Sequence, residues 1–178
     1  LYGKTVGVVG TGQIGATFAK IMAGFGCQLL AYDPYPNPEV QALGARYLPL
    51  AELLAEAQII SLHCPLTAET DKLMSRERIG LMKRDAYLIN SSRGELVDED
   101  ALIEALQRGR IAGAGLDVYN HEPAIDPRFL AIPNVVLLPH LGSATFEGRE
   151  ASGEKVIANI RIFSDGHRPP DQVLEGWA

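Results

Sequence analysis

The chain has 178 residues, 47% of them apolar and 21% charged, so it can build a sizeable core and is not intrinsically disordered. This length fits one domain. A net charge of −6 makes nucleic acid and anionic membrane surfaces poor partners for the surface as a whole. No apolar run approaches the roughly 18 residues of a membrane span, so we expect neither a nucleic-acid-binding nor a membrane protein.

The cysteine content indicates a reducing compartment. Cys27 and Cys64 are too few for a disulfide framework, and no segment resembles a secretory signal. We therefore expect a cytoplasmic protein. The chain begins at Leu1 rather than Met and enters an apolar strand within a few residues, so we expect a piece excised from a longer protein.

Apolar runs alternate with helical patterns from the first residues onward. A helix begins after the first strand, where Ile14, Phe18, Ile21 and Phe25 recur at helical spacing. The predicted strands cover residues 5–10, 28–32, 45–47, 58–62, 86–90, 111–116 and 135–138. The predicted helices cover residues 12–24, 39–43, 50–56, 75–82, 98–108 and 145–165.

This alternation predicts the fold class. Continuously apolar strands are typical of a parallel sheet that is covered on both faces. We predict an α/β fold, a doubly wound (Rossmann) and mostly parallel sheet of about seven strands with helices on both faces. Residues 1–170 are expected to form this domain.

The first strand leads into a G-x-G-x-x-G motif at residues 10–15, which opens the first helix. Gly10 permits a tight turn, Gly12 lets a pyrophosphate approach the backbone, and Gly15 lets helix and strand pack closely. The N–H groups at the start of the helix would face the phosphates, assisted by the helix dipole. The motif therefore predicts a dinucleotide-binding turn; the alternative is a glycine-rich turn without a ligand.

Asp33 ends the second strand about 20 residues after this turn, where a carboxylate accepts hydrogen bonds from the adenosine ribose. A carboxylate there repels a 2′-phosphate, and residues 34–38 contain no Lys or Arg to neutralise one. We therefore predict NAD as cofactor and disfavour NADP. The alternative is that Asp33 only starts a turn, as Asp before Pro often does.

Ligands of an open parallel sheet lie beyond the carboxyl ends of its strands, which places Arg93, Glu122 and His140 on one rim. Arg can grip a carboxylate with a two-point fork, and His can transfer the proton that accompanies a hydride. Glu beside His stabilises the protonated ring. Each also has an ordinary interpretation, as a solvated Arg, a surface Glu or a strand-capping His. His121 could compete for the proton role, but His140 follows a more rigid strand end.

The remaining histidine and cysteine residues do not suggest a second kind of site. Cys64 is expected to pack as a small apolar residue near the adenine, and His63 to be structural. His63, Cys64, His121 and His140 lack the close paired spacing of a zinc site, so we predict no metal.

Several motifs together resemble the NAD-binding domain of the D-isomer-specific 2-hydroxyacid dehydrogenases. The similarity extends over nearly the whole chain and includes His63-Cys64-Pro65-Leu66-Thr67. The other matching segments are residues 3–15, 90–98, 113–119, Glu122-Pro123 and 139–145. The early part of the chain resembles the D-lactate dehydrogenase branch of the family. The later part resembles the glyoxylate and hydroxypyruvate reductases.

The resemblance implies an NAD-dependent reduction of a small 2-oxo acid, of glyoxylate, hydroxypyruvate or pyruvate type, to a D-2-hydroxy acid. It implies Arg93, Glu122 and His140 as catalytic residues, with Asp117 holding the nicotinamide carboxamide. It implies further cofactor contacts from Gly10, Gly12, Gln13, Ile14, Gly15, Asp33, Cys64, Pro65, Ser91, Ser92, Arg93, His140, Gly142 and Ser143.

The resemblance also implies a homodimer and a second, substrate-binding domain that this chain lacks. Residues 171–178 would begin the return towards that domain, and the isolated chain is expected to bind cofactor. Formate dehydrogenases are similar but carry Gln where Glu122 stands, so they are disfavoured. Two alternatives remain open, a dinucleotide-sensing, corepressor-like binding protein on the same fold and a phosphite-type dehydrogenase.

Overall fold

The structure is a computed structural model that describes residues 1–173, and the chain divides into two compact units. The first unit extends from Leu1 to Pro139, and the second begins at His140. Most of the predicted return at residues 171–178 lies outside the described residues. The domain boundary after residue 170 therefore stays a prediction.

Strands and helices alternate through the first unit as the sequence predicts. Its strands are β1 Thr5–Val9, β2 Gln28–Tyr32, β3 Arg46–Tyr47, β4 Ile59–Leu62, β5 Tyr87–Asn90, β6 Gly113–Leu116 and β7 Val135–Leu137. Its α-helices are α1 Gln13–Gly24, α2 Pro38–Ala42, α3 Leu50–Glu56, α4 Arg76–Leu81 and α5 Glu99–Gln107. Two short 3-10 helices, Gly94–Leu96 and Pro127–Ala131, were not predicted.

The strands form one sheet in the order β3-β2-β1-β4-β5-β6-β7, and every neighbouring pair is parallel. The predicted doubly wound fold is thus confirmed. All strands end at the same side of the sheet, which we call the carboxyl edge. The strand order reverses between β1 and β4, and ligands bind at such a reversal in open α/β sheets.

Two apolar clusters cover the two faces of the sheet. One contains Val6, Val8, Leu29 and Ala31 of the inner strands with residues of α1 and α2. The larger one joins residues of β4, β5 and β6 with the buried sides of α3, α4 and α5. Burial of complete Leu, Ile and Val side chains stabilises such a sheet by about 1.5–3 kcal/mol for each side chain.

The buried side of α1 differs from the predicted apolar stripe. Ile14 and Ile21 are exposed, and the buried residues are Gly15, Ala19 and Met22. The reason is the close approach of the helix to the turn before it. A Cβ atom on Gly15 would lie 1.9 Å from the carbonyl oxygen of Gly10, so only glycine fits where the first turn of the helix meets the preceding turn.

The second unit contains α6, Phe146–Ser164, close to the predicted helix over residues 145–165. Thr145 caps its start, because its Oγ1 accepts a hydrogen bond from the N–H of Gly148 at 3.0 Å. None of the α6 residues is buried. No helix within residues 1–173 is both long and apolar enough to cross a membrane.

We predict that Gly15→Ala lowers the free energy of unfolding by about 3 kcal/mol or more, because its methyl group would overlap the Gly10 carbonyl. Gly24→Ala is the matched control at the end of the same helix, where a Cβ atom meets nothing within 4 Å. Urea denaturation followed by circular dichroism measures both. Equal stability of the two variants would contradict the packing role of Gly15.

Candidate active site

The glycine-rich turn between β1 and α1 is shaped to admit a ligand. Gly10 has a φ of +92°, and a Cβ atom there would lie 2.5 Å from the backbone nitrogen of Cys64. Gly12 differs, because a Cβ atom on it would have no neighbour within 4 Å. The turn therefore packs tightly against β4 at Gly10 and leaves open space at Gly12, which fits a pyrophosphate.

The starts of α1 and α3 have no capping side chain, whereas α2, α4, α5 and α6 begin with capping residues Asn37, Ser75, Asp98 and Thr145. A capping side chain would occupy the N–H groups that a phosphate needs. Gln13 and Ile14, the first two residues of α1, are exposed. The helix start thus presents backbone donors to the open space beside Gly12.

Asp33 follows β2 at the carboxyl edge, and its carboxylate organises the turn. Its Oδ2 accepts a hydrogen bond from the N–H of Thr11 at 2.7 Å, and its Oδ1 accepts one from the N–H of Tyr35 at 2.8 Å. Each carboxylate oxygen has a second lone pair, so these bonds leave Asp33 able to accept ribose hydroxyls.

His63 and Cys64 follow β4 beneath the glycine-rich turn. The His63 ring lies 4.7 Å from the Phe18 ring, and its Nε2 is 3.0 Å from Ser61 Oγ. Burial lowers the pKa of His63 to about 4, which keeps the ring neutral. Burial likewise raises the pKa of the Cys64 thiol to about 11, so it packs as an apolar residue. Both observations agree with the structural roles expected for these residues.

The segment after β5 is fastened by one buried amide. The side chain of Asn90 accepts a hydrogen bond from the N–H of Ser92 at 3.1 Å and donates one to the carbonyl of Arg93 at 2.7 Å. Ser92 Oγ donates to the carbonyl of Cys64 at 2.7 Å, which joins this segment to the one after β4. Arg93 is exposed, and its Nη1 donates to the Ser92 carbonyl at 2.7 Å.

The segment after β6 contacts the Arg93 segment directly. A Cβ atom on Gly94 would lie 2.1 Å from the carbonyl carbon of Tyr119, so the two backbones touch. Glu122 Oε1 accepts a hydrogen bond from the N–H of Tyr119 at 3.0 Å. The Tyr119 hydroxyl donates to the carbonyl of Leu138 at 2.8 Å, just beyond β7. The structure therefore brings the Arg93 and Glu122 segments together.

The other predicted site residues divide between the two units. Asp117 is buried directly after β6, and its N–H donates to the Asn90 carbonyl at 2.9 Å. Pro65 and Ser91 are exposed after β4 and β5. The residues of the second unit are His140, whose φ of +54° is left-handed, and the exposed Gly142 and Ser143.

The residues that hold the site in shape are not among the predicted site residues. Asn90, Thr11 and Tyr119 bind neighbouring segments through the hydrogen bonds described above. A polar residue at the end of an apolar strand, as Asn90 is, was the available signal. Within residues 1–173 no three His, Cys, Asp or Glu side chains are grouped so that they could hold a metal ion.

Residues 1–142 match the family described as D-isomer specific 2-hydroxyacid dehydrogenase, NAD binding domain. The chain belongs to this family. It is 47% identical over 174 residues to a glyoxylate reductase of Thermococcus litoralis, an alignment that covers 97% of this chain and 53% of that protein. The chain thus spans about half the length of the curated relatives it matches.

Solved structures that are similar to this chain agree with it in fold. A D-lactate dehydrogenase with NAD⁺ from Lactobacillus jensenii is similar with a TM-score of 0.89 and 37% identity, covering 97% of this chain and 56% of that one. An acyclic imino acid reductase in complex with NADPH and D-Arg is similar with a TM-score of 0.85 and 34% identity, covering 97% and 54%. One of these similar structures thus holds NAD⁺ and the other NADPH.

We predict that Gly12→Ala raises the dissociation constant for NADH at least tenfold, since its methyl group would occupy the space that a pyrophosphate needs. The free energy of unfolding should change by less than about 1 kcal/mol, because the methyl group touches no protein atom. Fluorescence titration and urea denaturation measure the two quantities. Unchanged NADH affinity would place the pyrophosphate elsewhere.

We predict that His63 makes the folded state less stable in acid. Its pKa is near 4 when folded and near 6.5 when unfolded, so the unfolded state binds the proton more strongly. Its contribution is complete above about pH 6.5 and is lost as the pH falls towards 4, by roughly 3 kcal/mol in total. His63→Gln should flatten this slope in urea denaturation.

His167→Gln is the matched control for that measurement, because His167 is exposed after α6. It should keep the dependence of unfolding on pH seen in the unmodified protein. If His63→Gln and the unmodified protein lose stability in parallel between pH 6.5 and 4, then His63 is not the group responsible.

Proposed function

We propose that this chain is the cofactor-binding half of an NAD-dependent enzyme that reduces a small 2-oxo acid to a D-2-hydroxy acid. One observation carries the proposal. The glycine-rich turn, Asp33, and the touching Arg93 and Glu122 segments all follow strands that end at the carboxyl edge of one sheet. A dinucleotide site and a carboxylate-binding cation thus share the edge where ligands of such sheets bind.

Arg93 is proposed to bind the substrate carboxylate. Its backbone is held by Asn90, and its Nη1 rests on the Ser92 carbonyl, so the guanidinium is placed by the segment rather than free to rotate. The remaining donors can form a two-point contact with a carboxylate and polarise an adjacent carbonyl. This fixes the substrate carbonyl in one orientation, which is what lowers the barrier to transfer.

His140 is proposed to donate the proton to the substrate oxygen, and Glu122 is proposed as its carboxylate partner. Glu122 is anchored through the Tyr119 N–H, which limits where its carboxylate can lie. When bound, NADH supplies the hydride for the carbonyl carbon. Protonation of the oxygen by the imidazole ring avoids an unneutralised alkoxide.

NAD rather than NADP is the proposed cofactor. Asp33 stands where the adenosine ribose would bind, and a 2′-phosphate beside its carboxylate would be repelled. Residues 34–38 offer no cation to offset that repulsion. Two further assignments also belong to the proposal. Both cysteines are unpaired, which suits a reducing cytoplasm, and family resemblance favours a homodimer.

The test is a steady-state assay of the full-length protein with NADH or NADPH against glyoxylate, hydroxypyruvate, pyruvate and phosphite, run in both directions. We expect turnover of a 2-oxo acid with NADH. Arg93→Ala should lower kcat/KM by at least about 100-fold, because the contact to the carboxylate is lost, while the dissociation constant for NADH changes less than twofold. Arg46→Ala, another exposed arginine, is the matched control and should keep full activity.

Other outcomes separate the alternatives. NADH binding without turnover of any 2-oxo acid would favour a dinucleotide-sensing binding protein. Oxidation of phosphite would favour a phosphite-type dehydrogenase. Equal loss of activity and of NADH binding in Arg93→Ala would contradict the proposed role of Arg93 in holding the substrate.

A further inference from the structure

A closed ring of hydrogen bonds surrounds Thr11 at the adenosine side of the glycine-rich turn. The Tyr47 hydroxyl donates to Thr11 Oγ1 at 2.9 Å and accepts from the N–H of Asn37 at 2.9 Å. Asn37 Nδ2 donates to the Thr11 carbonyl at 2.8 Å. The N–H of Thr11 donates to Asp33 Oδ2 at 2.7 Å, so all three polar groups of Thr11 are bonded.

Tyr47 is held at a fixed place beside this turn. It lies on β3, the outermost strand, and pairs with Ala31 of β2. Asn37 is also fixed, because its Oδ1 caps α2 by accepting a hydrogen bond from the N–H of Glu39 at 2.9 Å. The ring therefore joins the glycine-rich turn, the segment after β2 and the edge strand β3.

The cost of breaking this ring falls mainly on Thr11, its one buried member. Thr11 is only 2% exposed, so its hydroxyl can find no water to replace a lost partner. The groups that the ring constrains are the ones that a dinucleotide would meet, the Thr11 backbone beside Gly12 and the carboxylate of Asp33. A ring that is already closed before the ligand arrives removes the cost of ordering these groups on binding.

We propose that Tyr47 is a positioning residue for the adenosine half of the cofactor. Its hydroxyl holds Thr11 and Asn37 so that Asp33 is already oriented to accept the ribose hydroxyls and to repel a 2′-phosphate. This inference rests on the proposed function, because it concerns how the same dinucleotide is bound. It predicts an effect on cofactor affinity and selectivity, and none on the chemical step.

The test uses the full-length protein, with dissociation constants for NADH and NADPH from fluorescence titration and kcat with glyoxylate at saturating NADH. Tyr47→Phe removes only the hydroxyl, and Thr11→Val removes its acceptor. We expect each to weaken NADH binding about tenfold, as the loss of one buried hydrogen bond does. NADPH binding should change less, so that selectivity falls, and kcat should stay within twofold.

The double variant tests whether the two hydroxyls act through their shared bond. If they do, Tyr47→Phe with Thr11→Val binds NADH no more weakly than Tyr47→Phe alone, which also loses the bond from the N–H of Asn37. Thr11→Ser keeps the hydroxyl and should bind NADH as the unmodified protein does. Tyr87→Phe is the matched control, because Tyr87 begins β5 at the opposite end of the strands and its ring is half exposed.

The results separate this inference from the proposed function. Failure of the unmodified protein to bind NADH would overturn both. If the unmodified protein binds NADH and Tyr47→Phe binds it equally well, only the role of Tyr47 is overturned. It is also overturned if Tyr47→Phe lowers kcat and affinity together, or if Thr11→Ser is as impaired as Thr11→Val, since either result indicates a general loss of structure.

Discussion

The close contact between Gly15 and the carbonyl of Gly10 sets the direction in which α1 leaves the sheet. Because no side chain fits between helix and turn, the first turn of α1 lies directly above the end of β4. The helix start then has to face the carboxyl edge with its N–H groups uncapped. A helix displaced outwards by one methyl group would carry those donors away from the space beside Gly12.

Side chains at this edge bind neighbouring backbone segments as well as offering groups to a ligand. Asn90 and Ser92 fasten the segments after β4 and β5, and Tyr119 does the same after β6. The Ser92 bond joins the segments after β4 and β5, and the Tyr119 hydroxyl joins those after β6 and β7. The Asn90 and Glu122 bonds each shape one segment. The exposed Arg93 guanidinium and the Glu122 carboxylate are therefore carried by segments that the sheet itself holds in register, which is the preorganisation that an active site needs.

The two ends of the proposed cofactor site are built by different means. At the pyrophosphate, the fit depends on absence of side chains at Gly10, Gly12 and Gly15. At the adenosine, it depends on a ring of polar side chains around Thr11. Glycine is required at Gly10 and Gly15 because any side chain there would clash with neighbouring backbone. Relatives in which the helix lies equally close to the turn must therefore also have glycine at these positions. A hydrogen-bonded ring can be built from several residue combinations, so it offers a place where affinity and selectivity can differ between relatives.

The local pattern of apolar residues was sufficient to predict the strands, the helices and the fold class. Alternation of apolar strands with helices predicted all of the sheet strands within one or two residues, and the G-x-G-x-x-G motif marked the turn. The apolar spacing of α1 predicted a helix, but the fully buried residues of that helix are others, Gly15, Ala19 and Met22. The spacing of apolar residues indicates which of them share a face of the helix. The Gly10 carbonyl determines which face of the helix can pack against the glycine-rich turn.

The amino-acid sequence by itself determined the family, the parallel sheet and the identity of the residues that follow its strands, because these depend on residue type and local order. Only the tertiary structure decided how those residues are held. The ring of Tyr47, Asn37 and Thr11 joins residues as many as 36 positions apart in the sequence, and the Gly94 backbone contacts that of Tyr119, which follows the neighbouring strand. Such contacts arise from the packing of distant segments, for which no local pattern carries a signal.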